Sequence, residues 1–171
     1  MDSERDLLCH FLAALAYRTQ KALRGMDYGF ANFTPGNEVR TPKEILRHMT
    51  SVLGYARTFI WGGTYLPEPL ESIDAEIERF HDVLKSLASD FRSNLPFREN
   101  LTAKEFRQGP LADAMTHAGQ LAMLRRLYGS PVPPENFIRA NISAENLGKN
   151  QPEPASPDKE WPEAPRKMPG N

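Results

Sequence analysis

Between positions 73 and 91 the apolar residues Ile73, Ile77, Phe80, Leu84, Leu87 and Phe91 recur at alternating spacings of four and three. Only a helix gathers such a series onto one face, because its 3.6-residue turn brings back every third or fourth side chain. A strand would divide the same residues between two faces. A stripe this long cannot face water, so other elements must cover it.

The chain supplies three further helical stretches. One over roughly residues 4–24 places Leu8, Phe11, Leu12, Leu15 and Ala22 on one side, with Gly25 to end it. A second opens at Thr41-Pro42-Lys43-Glu44 and is expected to run to about Trp61, where Gly62-Gly63 break it. Threonine can cap, proline suits the first helical position, and glutamate can bond back to the cap. The 73–91 stripe sits in a third helix over roughly 71–93. A fourth is expected from near Pro110 to Gly129, preceded by a short helical turn in TAKEFRQ. Period-two alternation is scarce. The expected fold is therefore all-α, a four-helix bundle over residues 1–130.

Nine of the 15 prolines lie between Ser130 and Asn171, so residues 131–171 read as a Pro-rich extension, irregular, partly packed or disordered. Within it Phe137, Ile138 and Ile142 can pack onto the main body. The loop GMDYGFANFTPGNEVR between the first two helices is long for a compact domain, which suggests function.

Net charge is −1 with scattered basic residues, which argues against a nucleic-acid partner. No apolar run reaches the ~18–20 residues of a membrane span, and the charged start MDSERDLL is unlike a signal peptide. The single cysteine, Cys9, permits no internal disulfide and fits a cytoplasmic protein. Cys9 itself reads as a small core-edge residue.

The fourth helix carries the chemistry. Asp113, His117, Gln120 and Leu124 fall within a ~60° strip at about 100° per residue, so an acid and a histidine share the apolar side. A charge there needs a partner. Among the other histidines, His10 lies opposite its helix's apolar face and His81 at the edge of the 73–91 seam. His48 faces the same broad side as Val52, Tyr55 and Phe59, and is the best third member. Two imidazoles and a carboxylate suit a divalent transition metal and leave positions for water or substrate. Gln120 can orient a ligand or bound water. The residues alone also allow a plain polar pair, His117 donating to Asp113 or to a carbonyl, and the donor set also suits non-haem iron, to which nothing else in the chain points. Arg125 and Arg126 read as a solvated pair at the helix end, and Met115 and Met123 as packing or interface residues.

TPKEILRHM on the second helix and DAMTHAGQLAMLRRLYGSPVP on the fourth resemble the DinB-like (DNA-damage-inducible) superfamily, over about residues 1–130. That group includes bacillithiol S-transferases and mycothiol-dependent maleylpyruvate isomerase. The resemblance implies a four-helix bundle, commonly a homodimer, binding zinc or nickel through one histidine of the second helix and a pair four apart on the last. The family motif H-x-x-x-H-R-G-Q reads here Asp113-Ala-Met-Thr-His117-Ala118-Gly119-Gln120. Aspartate replaces the first histidine and Ala118 the arginine. A carboxylate at the first position is similar to the isomerase, which has a glutamate. The metal ligands implied are His48, Asp113 and His117. The implied activity is that of a divalent-metal-dependent enzyme acting on a small molecule: a thiol transferase with a low-molecular-weight thiol, or a related isomerase or hydrolase. The alternative is a non-catalytic DinB-like binding or dimerisation protein with a degenerate metal site.

Overall fold

The computed structural model describes residues 3–157. It is all-helical, with no named strand among the described residues. Four long helices are α1 (Ser3–Leu23), α2 (Pro42–Trp61), α3 (Ile73–Arg92) and α5 (Ala112–Leu127), with a short α4 (Ala103–Phe106) before the last. α1 packs on α3 and α5, and α2 packs on the same two. The expected seam is realised: Phe80, Leu84, Leu87 and Phe91 are fully buried against Leu12, Leu15, Leu46, Met49, Leu53 and Leu121. Each such side chain contributes about 1.5–3 kcal/mol by leaving water.

The local signals act as their chemistry suggests. Thr41 caps α2, accepting from Glu44 N, while the Glu44 carboxylate accepts from Thr41 N at 2.8 Å. α3 starts behind Ser72, which accepts from Ala75 N. Gly54 explains itself within α2: a Cβ there would lie 2.1 Å from the Tyr65 ring, which rests directly on the helix backbone.

Several expectations need correction. The last helix does not begin cleanly at Pro110. α4, closed by its own capping box from Thr102 and Glu105, runs into a π-helical turn over Arg107–Leu111, and α5 follows at Ala112. Pro110 has no N–H to give and Gly109 leaves helical geometry (φ −91, ψ −105), so the ladder breaks there and restarts. Arg125 is not solvated. It is 4% exposed, and its guanidinium donates to the carbonyls of Ala22, Arg24 and Ser130 and to Ser130 Oγ. His81 is not at an edge but 1% exposed, with its Nδ1 2.7 Å from the Leu147 carbonyl.

Residues 131–157 pack on the body through main-chain carbonyls. Arg92 donates to Ala144 O and Arg24 to Gln151 O and Pro152 O, while Leu147 is buried. Phe137 packs edge-on against Tyr17, and Ile142 lies against the core. Ile138 does not pack; it is 88% exposed. The rest of the Pro-rich extension lies outside the described residues. No helix of the described residues is long and apolar enough to cross a membrane.

His81 gives a stability prediction. The Leu147 carbonyl can only accept, so Nδ1 carries the hydrogen, while Nε2 is buried without a partner. Burial holds the imidazole below its ordinary value of 6.5, outweighing that hydrogen bond. Its contribution is therefore fully present above pH 6.5. As pH falls from there toward the lower folded value, the unfolded chain takes up a proton that the folded chain refuses. Stability should then fall by about 1.4 kcal/mol per pH unit from this group. Urea unfolding between pH 7 and pH 5 should show a steeper loss for the parent than for His81→Asn, which keeps a donor for Leu147 but does not titrate. Equal slopes would contradict this assignment.

Candidate metal centre

α2 and α5 pack against each other, and that contact assembles the site. His48 lies in the second turn of α2, just past the capping box that fixes where the helix begins. Asp113 lies in the first turn of α5, immediately after the π turn, and His117 one turn further on. His48 Nε2 is 3.5 Å from Asp113 Oδ2, and His117 Nε2 is 3.6 Å from Asp113 Oδ1. The two imidazoles meet edge to face, ring centres 4.6 Å apart. One donor atom from each residue lies within 4.8 Å of the others, and the three could hold a metal ion. Ligands bound at ~2.0–2.1 Å in a tetrahedron stand ~3.3 Å from one another, close to the two histidine–aspartate separations.

Exposure is graded across the trio. The side chain of His117 is 9% exposed, that of His48 32% and that of Asp113 49%. The site is thus rooted in the core and open at the carboxylate. Two clefts flank the trio, with Arg40 lining both. One, of about 460 Å³, is lined by Val39, Arg40, Ile45, His117, Gln120 and Met123, among others. The other runs past Arg40, Glu44, Arg47, His48 and Ser51 to the Leu66–Pro69 segment.

One imidazole is prepared to present a lone pair, and the other is held neutral. His117 Nδ1 lies 2.7 Å from Gln120 Oε1. Amide oxygen only accepts, so Nδ1 carries the hydrogen and Nε2, the atom facing Asp113, is bare. His48 is held below its ordinary value first by burial, then by the charges of Arg40 and His117, against the opposing pull of Asp113. A neutral imidazole is the form that ligates a metal.

All four residues singled out in the sequence, His48, Asp113, His117 and Gln120, come together. His10 is exposed on α1, and His81 is engaged with Leu147. The sequence reading missed Arg40 and Arg47. The length of the 25–40 loop was the one available signal, and that loop delivers Glu38, Val39 and Arg40 to the cleft beside His117. It is held by Phe30, fully buried, and by Tyr128, whose hydroxyl donates to Asp27 Oδ1 at 2.7 Å. No family model matches the chain, and no curated protein or solved structure matches it significantly.

The Gln120 contact is open to direct measurement. Nitrogen-15 NMR of metal-free protein above pH 7.5 should show His117 as the Nδ1–H tautomer. Gln120→Ala should release it toward the commoner Nε2–H form. An Nε2–H signal already present in the parent would remove Gln120 from its orienting role.

Proposed function

We propose that the chain is a DinB-like four-helix bundle acting as a divalent-metal-dependent enzyme, with zinc or nickel held by His48, Asp113 and His117. The observation that carries the reading is the convergence of two imidazole nitrogens and a carboxylate from two helices, flanked by two clefts. Two nitrogens and one oxygen are a donor set such metals accept, and three protein ligands leave positions for a small molecule. The metal, when bound, would supply Lewis acidity that lowers the pKa of a thiol or water.

The chain's own residues then have distinct roles. Gln120 keeps the His117 lone pair aimed at the site. Arg40, which lines both clefts, offers a cation to an anionic group of the substrate. Val39, Ile45 and Met123 provide an apolar wall for its body. The reaction class proposed is thiol transfer with a low-molecular-weight thiol, or a related isomerisation or hydrolysis, carried out by a homodimer.

The test is metal content of protein purified without chelator or affinity tag, alongside an Asp113→Ala/His117→Ala double variant. Near-stoichiometric zinc or nickel in the parent and its loss in the variant are expected. Thiol conjugation to small electrophiles should then depend on Asp113 and His117, with a variant at Arg40 raising KM more than it lowers kcat. If parent protein neither retains nor takes up metal, the trio is a polar cluster and the non-catalytic binding reading replaces the enzyme.

A further inference from the structure

A second cavity lies on the other side of α5. At about 100° per residue, Met115, Ala118, Gly119, Ala122 and Arg126 occupy the face opposite Asp113, His117 and Gln120. Together with the last turns of α1 and the segment Val132–Phe137 they border an open-sided cavity of about 210 Å³. Its floor is apolar and its third wall is proline-rich.

That wall is fixed by buried polar ties. Glu135 is 7% exposed, accepts from the Tyr17 hydroxyl at 2.6 Å and pairs with Lys21 at 3.0 Å. Burial first, and then the hydrogen bond to Glu135 and its charge, push the Tyr17 hydroxyl well above its usual range, so it stays a donor. Phe137 packs edge-on against Tyr17, and the Arg18 guanidinium lies 3.7 Å above its ring. Lys21 is thus matched by Glu135, whereas Arg18 and Arg126 are within ion-pair distance of no described carboxylate. Three cations, Arg18, Lys21 and Arg126, thus share the one carboxylate of the lining, Glu135, which leaves an excess of positive charge over an apolar floor.

Gly119 supplies an independent observation. A glycine inside a helix costs about 1 kcal/mol relative to alanine. Gly54 repays that cost by admitting the Tyr65 ring, but a Cβ at Gly119 would meet nothing within 4 Å. Nothing among the described residues requires the bare backbone there, which opens onto the cavity floor.

We propose that this cavity is a binding site for a small amphipathic monocarboxylate, separate from the His48–Asp113–His117 site and independent of any metal there. The carboxylate pairs with Arg18 and Arg126, and a short hydrocarbon or aryl body lies over Gly119 and Ala122 against Pro133. The volume is below the ~300–1,000 Å³ of drug-sized sites, which limits the body to a medium chain or one ring.

The probe is octanoate, with 1-octanol as its uncharged counterpart, titrated into full-length protein. Saturable binding of octanoate should shift the Gly119 amide and the Met115 methyl signals while leaving the His117 ring signals unmoved. Octanol should bind at least about tenfold more weakly, as should octanoate to Arg18→Gln/Arg126→Gln, since each loses charge-assisted bonds. Gly119→Leu fills the cavity with a better helix former, so it should abolish binding while keeping Tm at or above the parent's and metal content unchanged. Equal affinity for octanol, or unchanged binding in Gly119→Leu, overturns the proposal. So does a parent dimer that Gly119→Leu converts to monomer without octanoate ever binding, for then the face is an interface between copies.

Discussion

The clamping of α5 between α1 and α2 is the constraint on which the rest of the structure depends. The helix is rich in small residues, with Ala114 and Ala118 buried, and it packs on two neighbours at once. A helix pressed from two sides has two faces committed to shape, and each borders an opening: the histidine–aspartate trio toward α2 and the apolar cavity toward α1. Its ends are fixed by different means. At the start, the π turn and Pro110 break the ladder and set where Asp113 falls. At the end, Arg125 reaches into the carbonyls that close α1 and begin the following segment, so the terminal turns of α1 and α5 are held as one unit.

Arg125 is one case of a wider pattern. Arg5 donates to Phe91 O and Leu95 O, Arg24 to Gln151 O and Pro152 O, Arg79 to Glu68 O, and Arg92 to Ala144 O. Helix ends and irregular chain leave carbonyls without partners, and leaving such a group buried and unbonded costs about 1–3 kcal/mol. A guanidinium, with five donors in a planar fork, satisfies several at once. The proline-rich extension is poor in side chains that could bury much apolar area, and Leu147 is its one fully buried aliphatic anchor among the described residues. What holds it otherwise is this charge-to-carbonyl stitching, with His81 and Glu135 as its two buried polar ties.

That division explains what the sequence disclosed. Periodicity and capping are local, so the α3 seam, the Thr41–Glu44 box and the helical character of all four long segments could be read directly. The strip holding Asp113, His117 and Gln120 was equally local, and His48 followed from its place on the inward side of a well-capped helix. The misread residues have partners far along the chain. Arg125 bonds to carbonyls about a hundred residues earlier, and His81 to one 66 residues later. No spacing rule says which irregular carbonyl will lie beside which cation. The break at Gly109-Pro110 was visible as a boundary, but whether a helix ends there or reopens through a π turn is settled by how α4 packs, not by the proline.

The aspartate at position 113 puts the physical question most sharply. It is one methylene shorter than glutamate and lacks the reach of histidine, so a site built on it needs the helices to come closer. Here each carboxylate oxygen faces a different imidazole nitrogen at 3.5 or 3.6 Å. Reach is therefore not the limiting factor; charge is. With the His117 hydrogen held on Nδ1, the half-exposed carboxylate faces a lone pair on that side, an acceptor–acceptor contact that is unfavourable as it stands. It can be relieved by a metal, or by a proton that turns one imidazole into a donor. Gln120 fixes the hydrogen of His117 on the far nitrogen, and the charge of Arg40 together with burial holds His48 toward its neutral form. The His117 lone pair, the Asp113 carboxylate and a nitrogen of neutral His48 are then three donors that could hold a metal ion together.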